Sequence, residues 1–374
     1  MAALNILAIN SGSSSLKASY FPHNAARQDF HYAHIGAHDD STLASHYAQA
    51  FDALLLALTQ AQPDAIVFRF VHGGDITEPA RMLDASERTR LQQLTSLAPL
   101  HMPYNLLGVE LCAARFHVPM IACFDTAFHH TLPEMAYRLP IPNSLHLRKY
   151  GFHGINYAYV AQQLPKLLGS AANGHVVVAH LGHGASLCCL KNLQSIDTTM
   201  GYTAAGGIPM ATRSGDLDPG IMLALAQRYD HQALLEMVYQ HMGLLALSDG
   251  ESADMAALVN SDSPQARFAV DYFAQQVRAV IGGYAAKYGG IDALVFTGGI
   301  GEHSALIRKK ICEPLQCLQF ALNDEANQTH ATVLNTASSK PILQIHADEE
   351  VEMARLATAL MLKQAHSPAT YSLS

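Results

Sequence analysis

Two arginines stand where a permanent positive charge needs a physical reason. Arg69 lies inside the apolar run Val67-Phe-Arg-Phe-Val71, where a guanidinium either meets an anion or pairs with a core carboxylate. Arg213 falls in the loop-like stretch Ile208-Pro-Met-Ala-Thr-Arg-Ser-Gly-Asp-Leu-Asp-Pro219 and reads either as an anion holder or as half of a surface ion pair. Asp125 closes the apolar run that ends at Phe124, a position suited to ligand contact or simply to a turn or helix cap. His153, in Tyr150-Gly-Phe-His-Gly154, is set in flexible backbone near a ligand or in a plain turn. The tract Asn10-Ser-Gly-Ser-Ser-Ser-Leu-Lys17 suits phosphate: Gly12 lets backbone approach, Ser13 and Ser15 offer donors, and Lys17 offers a point charge. Its spacing is not that of a Walker A loop, and a plain turn is the alternative. Gly298-Gly-Ile-Gly-Glu302, leading to Ser304-Ala-Leu-Ile-Arg308, reads as a glycine turn and a helix start that could hold a nucleotide. Asp348-Glu349-Glu350 could carry magnesium through water or favour a helix N-terminus.

Each of these groups needs an element to place it. Short apolar runs over 4–9, 65–72, 118–124, 176–181 and 293–297 end in polar or glycine-rich turns, with helix-like stretches over 43–58, 157–168 and 266–288 between them. Strands alternating with helices predict an α/β protein with parallel or mixed sheets, whose ligands collect at strand carboxyl ends. The first and fourth runs, each followed by a Ser/Gly turn and a further apolar stretch, hint at two domains of related design facing one cleft. A boundary near 131–143 is expected from the prolines there, and the tail after Lys363 is expected to fray.

With 374 residues there is room for two ordinary cores, and 49% apolar against 14% charged residues is a globular composition. A net charge of −8 argues against nucleic acid or an anionic membrane as partner. No apolar stretch approaches the ~18 residues that span a bilayer, and the N-terminus lacks a secretory signal, so a cytoplasmic location is expected. The cysteines Cys112, Cys123, Cys188, Cys189, Cys312 and Cys317 show no zinc-like spacing and read as buried, reduced thiols. Adjacent His129 and His130 point different ways on any regular element, which speaks against a transition-metal site.

In this order the motifs resemble the acetate kinase family of the actin-like, sugar-kinase and heat-shock chaperone superfamily. The carrying segments are Asn10 to Lys17, Arg69-Phe-Val-His-Gly-Gly74, Leu97-Ala-Pro-Leu-His101, Phe124-Asp-Thr-Ala-Phe-His129, Arg148-Lys-Tyr-Gly-Phe-His-Gly154, His180-Leu-Gly-His-Gly184, Thr212-Arg213 and Phe296-Thr-Gly-Gly-Ile-Gly-Glu302. The resemblance implies two actin-like, ribonuclease H-like domains, residues 1–130 plus 352–374 and residues 131–351, with mixed central sheets and a homodimer formed mainly through the second. It also implies reversible transfer of the γ-phosphoryl of ATP to a short carboxylate, giving acyl phosphate and ADP with magnesium. By the same resemblance Arg69, Asp125, His153 and Arg213 are catalytic, and Asn10 and Glu349 hold magnesium directly or through water. Ser13, Ser15 and Lys17 form one phosphate turn, and His180, Gly182, His183 and Gly184 the second. Gly299, Ile300, Gly301, Glu302 and His303 lie by the adenosine, while Val71, Leu100, Phe152 and Ala204 line the acyl pocket.

The chain departs from the family at several of these positions. His183 replaces an asparagine and so opens the choice of phosphate donor, ATP or pyrophosphate. Further departures are Phe68, the segment Ile155-Asn156-Tyr157, and His303. Ala204 replaces a proline, leaving room for an extra methylene worth roughly 0.8 kcal/mol and favouring propionate alongside acetate. The region from 21 to 65 is short for the family. Substitutions at this many motif positions also leave a longer acyl acceptor, or a nucleotide sensor with weak turnover, as alternative readings.

Overall fold

The computed structural model describes residues 4–12, 15–33, 40–98 and 101–366, and these form two compact units. Unit 1 takes the residues up to Phe128, Gly154–Tyr159, and those from Asp348 onward; unit 2 takes His129–His153 and Val160–Ala347.

In unit 1 the strands are β1 (Ile6–Ser11), β2 (Ser15–Phe21), β3 (Gln28–Ala33), β4 (Ala65–Phe70), β5 (Ala80–Met82) and β6 (Met120–Phe124), laid out as β3-β2-β1-β4-β6-β5. The two ends of the Ser/Gly tract belong to a hairpin: β1 and β2 pair antiparallel with Asn10 opposite Lys17, and Gly12 N donates to Ser15 O at 2.8 Å. Strands β1, β4 and β6 are parallel, with Ile9 beside Phe68 and Arg69 beside Cys123. Alternation then decides which side chains share a face. Ile6 and Ala8, Ala65 and Val67, and Ile121 and Cys123 form one buried cluster with Met353, Ala354, Leu356 and Ala357 of the helix Glu349–His366. The next same-face positions beyond this apolar cluster are Asn10, Arg69 and Asp125. Each of the larger side chains, Ile6, Val67, Ile121, Met353 and Leu356, contributes about 1.5–3 kcal/mol on burial, so a one-residue slip that exposed the cluster, and turned Arg69 away, is strongly disfavoured.

Unit 2 repeats the plan with β7 (Val176–Leu181), β8 (Ala185–Lys191), β9 (Gln194–Thr198), β10 (Ala293–Thr297) and β11 (Ile342–Gln344), ordered β11-β10-β7-β8-β9. Again a central strand makes an antiparallel hairpin on one side, β7 with β8, and a parallel pair on the other, β7 with β10. The likeness of the two Ser/Gly turns in the sequence is therefore a likeness of sheet topology.

The expected helices correspond to Asp40–Ala57, which ends one residue before the expected 58, Gly154–Leu168 and Pro264–Tyr288. The last is capped by Ser263, whose side chain accepts from Ala266 N, and stopped by left-handed Gly289 at φ 71°. Three expectations are corrected. The glycine segment after β10 is itself a short helix, Gly298–His303, entered through Gly298 at φ 78°. The C-terminal helix, Glu349–His366, takes Glu349 and Glu350 into its first turn and runs past Lys363, where fraying is expected, while residues 367–374 lie outside the described set. Cys317 is exposed, whereas the other five cysteines are buried. No helix among the described residues is long and apolar enough to cross a membrane.

Candidate active site

In unit 1 the polar ends of three parallel strands meet the first turn of the helix Glu349–His366. Arg69 donates from Nε and Nη2 to Asp125 Oδ2 at 3.0 and 2.6 Å, and from Nη1 to Asn10 Oδ1 at 3.1 Å. Its Nη1 also lies 3.2 Å from Glu349 Oε2. Asn10 Nδ2 in turn donates to Glu349 Oε2 and Glu350 Oε1 at 2.8 and 2.9 Å. Burial alone would lower the Arg69 pKa, but the charges of Asp125 and Glu349 outweigh it and hold the guanidinium charged. Burial pushes Asp125 above the usual carboxylate range; Arg69 opposes this and Glu349 adds to it. Glu350 is raised by burial and by the like charge of Glu349. Asp125 Oδ1 is buried with no hydrogen-bond partner among the described residues. This cluster holds more negative charge than Arg69 can balance, which suits a cation.

The acidic trio divides by role. Asp348 Oδ1 accepts from Val351 N and so caps the helix, and its other oxygen pairs with Arg27. Glu349 and Glu350 are buried inside the first turn. Glu350 belongs to the trio the sequence offers for magnesium, although the family resemblance names only Asn10 and Glu349; its helical spacing from Ala354 and Ala357, on the buried face, is the signal that sets it beside Glu349. Lys17, exposed on β2, favours the charged form of Glu350. Ser15 opens β2 half-buried, and Val71 is buried just past β4. Ser13 and Leu100 lie outside the described residues.

In unit 2 a second group forms over the β7–β8 hairpin. His180 and Ser186 are directly opposed across it. The His153 ring stacks on His180 with centroids 4.1 Å apart, and its Nδ1 lies 2.9 Å from Ser186 Oγ. At the hairpin tip, a methyl placed on Gly184 would stand 3.0 Å from Arg213 Nη2 and 3.1 Å from His153 Nε2. Both donors therefore converge on one spot that a side chain at 184 would fill. Gly182 abuts the other glycine segment: its methyl would lie 3.8 Å from Gly299 N and 3.9 Å from His180 Nε2.

Arg213 is not in a surface ion pair. It is 8% exposed, its Nη1 donates to the carbonyl of Ala204 at 2.7 Å, and no carboxylate among the described residues lies within ion-pair distance. Burial pushes it down to about 10. Its loop is pinned at Ala211 N to His183 O and at Met210 N to Arg213 O. Left-handed Gly243 packs against that loop so closely that a methyl there would stand 2.1 Å from Met210 O. A buried, rigidly held guanidinium with no counter-charge is a standing invitation to an anion.

The sequence profile described as the acetokinase family matches residues 5–355. The chain belongs to the acetokinase family. It is 41% identical over 312 residues to an acetate kinase of Nitrobacter hamburgensis, covering 82% of this chain and 77% of that one. It is 36% identical over 383 residues to a propionate kinase of Salmonella typhimurium, covering 94% and 95%. Among solved structures, a propionate kinase from Francisella tularensis superposes with a TM-score of 0.83 at 30% identity, covering 95% of this chain and 99% of that chain.

As an acetokinase the chain must bind a nucleotide, and its two glycine segments in unit 2 are built differently. Gly299 and His303 are exposed and Ile300 is half-buried, while Gly301 and Glu302 are buried. Both Glu302 oxygens are taken by the protein: Oε1 accepts from Gly298 N and Ala347 N, each at 2.9 Å, and Oε2 meets His346 Nδ1. Glu302 thus braces the glycine helix. Arg308, which the sequence reading did not single out as a site residue, braces it too: fully buried, it donates from Nη1 to Gly301 O and Glu302 O at 2.8 and 2.7 Å. Phe152 is buried and Ala204 half-buried in the same unit, and His183 is exposed at the hairpin tip.

Magnesium fits the unit 1 cluster by donor chemistry. Asn10, Asp125, Glu349 and Glu350 offer oxygen as ligand atoms, and Asp125 Oδ1 has no side-chain partner among the described residues. Among the described residues no three His, Cys, Asp or Glu side chains form a ready-made cage. Magnesium needs none, since it is commonly held by one or two carboxylates together with water and substrate phosphates.

Proposed function

We propose that this chain catalyses the reversible transfer of the γ-phosphoryl group of ATP to acetate or propionate, giving the acyl phosphate and ADP by direct in-line transfer. The observation that carries the reading is Arg213, a buried guanidinium without a carboxylate whose Nη2 and the Nε2 of His153 converge over Gly184.

The acceptor carboxylate is already ionised near neutral pH, so no strong base is required. What the reaction needs is positive charge and alignment, because two anions must meet and charge spreads over the phosphoryl oxygens in flight. Arg213 supplies charge that no carboxylate among the described residues neutralises. In this role His153 carries a proton on Nε2, the nitrogen that faces Gly184, while its Nδ1 lies 2.9 Å from Ser186 Oγ. Arg69 meets the carboxylate, and Asp125 orients Arg69 rather than abstracting a proton. Asn10 and Glu349, with Glu350 beside them, would hold magnesium, which neutralises phosphate charge when bound. Ser15, Lys17, Gly182 and Gly184 receive phosphates, the segment from Gly299 to His303 the adenosine, and Val71, Phe152 and Ala204 the acyl chain.

A homodimer through unit 2 and a cytoplasmic location complete the proposal. The helix Pro219–Ala226 supports the dimer, with Ile221 and Leu223 47% and 68% exposed, as does Phe268 at 57%; light scattering at the mass of one chain would remove it. For the reaction, the protein is incubated with magnesium-ATP and a carboxylate series, and acyl phosphate is trapped by hydroxylamine. Hydroxamate from acetate and propionate is expected. Measurable ATP binding with no hydroxamate from any carboxylate would overturn the assignment.

A further inference from the structure

His129 lies at the start of unit 2, 1% exposed, with both ring nitrogens engaged. Nε2 is 2.9 Å from the carbonyl of Phe152 and Nδ1 is 2.8 Å from Ser195 Oγ on β9. A carbonyl only accepts, so the proton sits on Nε2, and the Ser195 hydroxyl must donate to Nδ1. That hydroxyl also lies 3.3 Å from Cys188 Sγ, which ties the chain of contacts into β8.

The carbonyl His129 grips is the one before His153, and the backbone around it is strained. Gly151 has φ 78° and His153, a β-substituted residue, has φ 58° and ψ 21°. Such a conformation persists only where its surroundings enforce it. They do so here by packing and by hydrogen bonds. A methyl on Gly151 would stand 2.7 Å from the His129 ring and 2.7 Å from Thr198 Cγ2, and Tyr150 N donates to Gly201 O at 3.0 Å. Gly151, two residues before His153, therefore marks close packing rather than flexibility.

We infer that His129 is a positioning residue for phosphoryl transfer, its Nε2–H fixing the Phe152 carbonyl and thereby the left-handed turn that aims His153 over Gly184. The inference rests on the reading of His153 given above. Without this peg the turn can relax toward ordinary backbone angles and carry the His153 ring off His180 and Ser186. A displacement of about 1 Å in such a group can cost on the order of 100-fold in rate.

The test compares His129→Leu, which fills the space but cannot donate, with His129→Gln, whose amide can reach the same carbonyl. Expected are a kcat at least about 30-fold lower for Leu, with KM for ATP and carboxylate within about threefold, and recovery of most of the loss by Gln. A Leu variant within threefold of the parent kcat, or a Gln variant no better than Leu, overturns the inference. Should the Leu variant not fold, Ser195→Ala probes the same peg from its other side, with a several-fold lower kcat and unchanged KM expected and an unchanged kcat overturning the role. Nitrogen-15 spectra of the unaltered protein must show His129 as the Nε2–H tautomer, and the Nδ1–H form is equally fatal. His153→Ala is run alongside: full activity there would remove the reading of His153 itself, whereas a loss there with an active His129→Leu removes only His129.

Discussion

Arg69 gives two of its donors, Nε and Nη2, to a single oxygen of Asp125, at 3.0 and 2.6 Å, and leaves the other oxygen buried with no side-chain partner among the described residues. Arg213, by contrast, spends a donor on a backbone carbonyl and meets no carboxylate among the described residues. Truncating the two arginines therefore has different consequences. Arg69→Ala strands Asp125 and Glu349 as buried charges, and losing one partner of a buried pair costs about 3–5 kcal/mol. We expect its melting temperature to fall by at least about 5 °C, together with activity. Arg213→Ala leaves no orphaned charge: kcat should fall at least ~100-fold, as for loss of a transition-state donor, while the melting temperature stays within about 2 °C. Calorimetry and initial rates on both variants check this, and equal destabilisation by the two would show that Arg213 has a hidden counter-charge.

Glu350 carries the second prediction. Its carboxylate is disfavoured by burial and by Glu349, so at neutral pH its charge costs stability unless a cation is present. Glu350→Gln keeps an oxygen for Asn10 Nδ2 and removes the charge. Without magnesium the variant should melt a few degrees above the parent, with a lower affinity for magnesium-ATP. A variant that is less stable without metal, or binds magnesium-ATP as well as the parent, would contradict the assignment of this cluster to a cation.

How far the sequence could be read follows from which interactions are local. The strands and the long helices were legible because apolar runs and their periods are local signals, and the motif order in the chain led to the family. The partners of the two arginines were not legible. Arg69 and Asp125 are 56 positions apart, and which anion meets Arg69 depends on the register that sets it beside Cys123. The surface-ion-pair alternative for Arg213 rested on Asp216 and Asp218 being near in sequence, yet Asp216 accepts from Gly207 N and Asp218 caps the helix Pro219–Ala226. His129 looked only like half of a histidine pair, because its partners Phe152 and Ser195 lie 23 and 66 positions away.

Ala204 bears on the choice of acyl group. It is half-buried, and its carbonyl accepts from Arg213 Nη1 at 2.7 Å, so the backbone at 204 is held by Arg213 while its side chain is a single methyl. With Ala204 beside the acyl chain, as proposed above, so small a side chain leaves room for an added methylene, worth roughly 0.8 kcal/mol if buried. Propionate should be used comparably to acetate or better, and Ala204→Pro should shift the ratio toward acetate. Measured kcat/KM for acetate at least about 200-fold above propionate, more than one methylene discriminates, would exclude this.

The last prediction concerns acid. His129 in unit 2 and His72 in unit 1 are buried and each pushed down to about 4, chiefly by burial, from an ordinary value of 6.5. In the folded chain both stay neutral while the unfolded chain takes up a proton on each as the pH passes below 6.5. Protons then favour the unfolded state, so the stability these rings confer is complete above pH 6.5 and is lost as the pH falls toward 4. For His129 the full effect is on the order of 3 kcal/mol. Urea unfolding followed at pH 7.5, 6.0 and 5.0 should show stability declining across this window. His129→Gln, which cannot titrate, should be less stable than the parent at pH 7.5 but lose less on acidification, and parallel declines for the two proteins would mean that His129 is already protonated in the folded state or exposed to solvent.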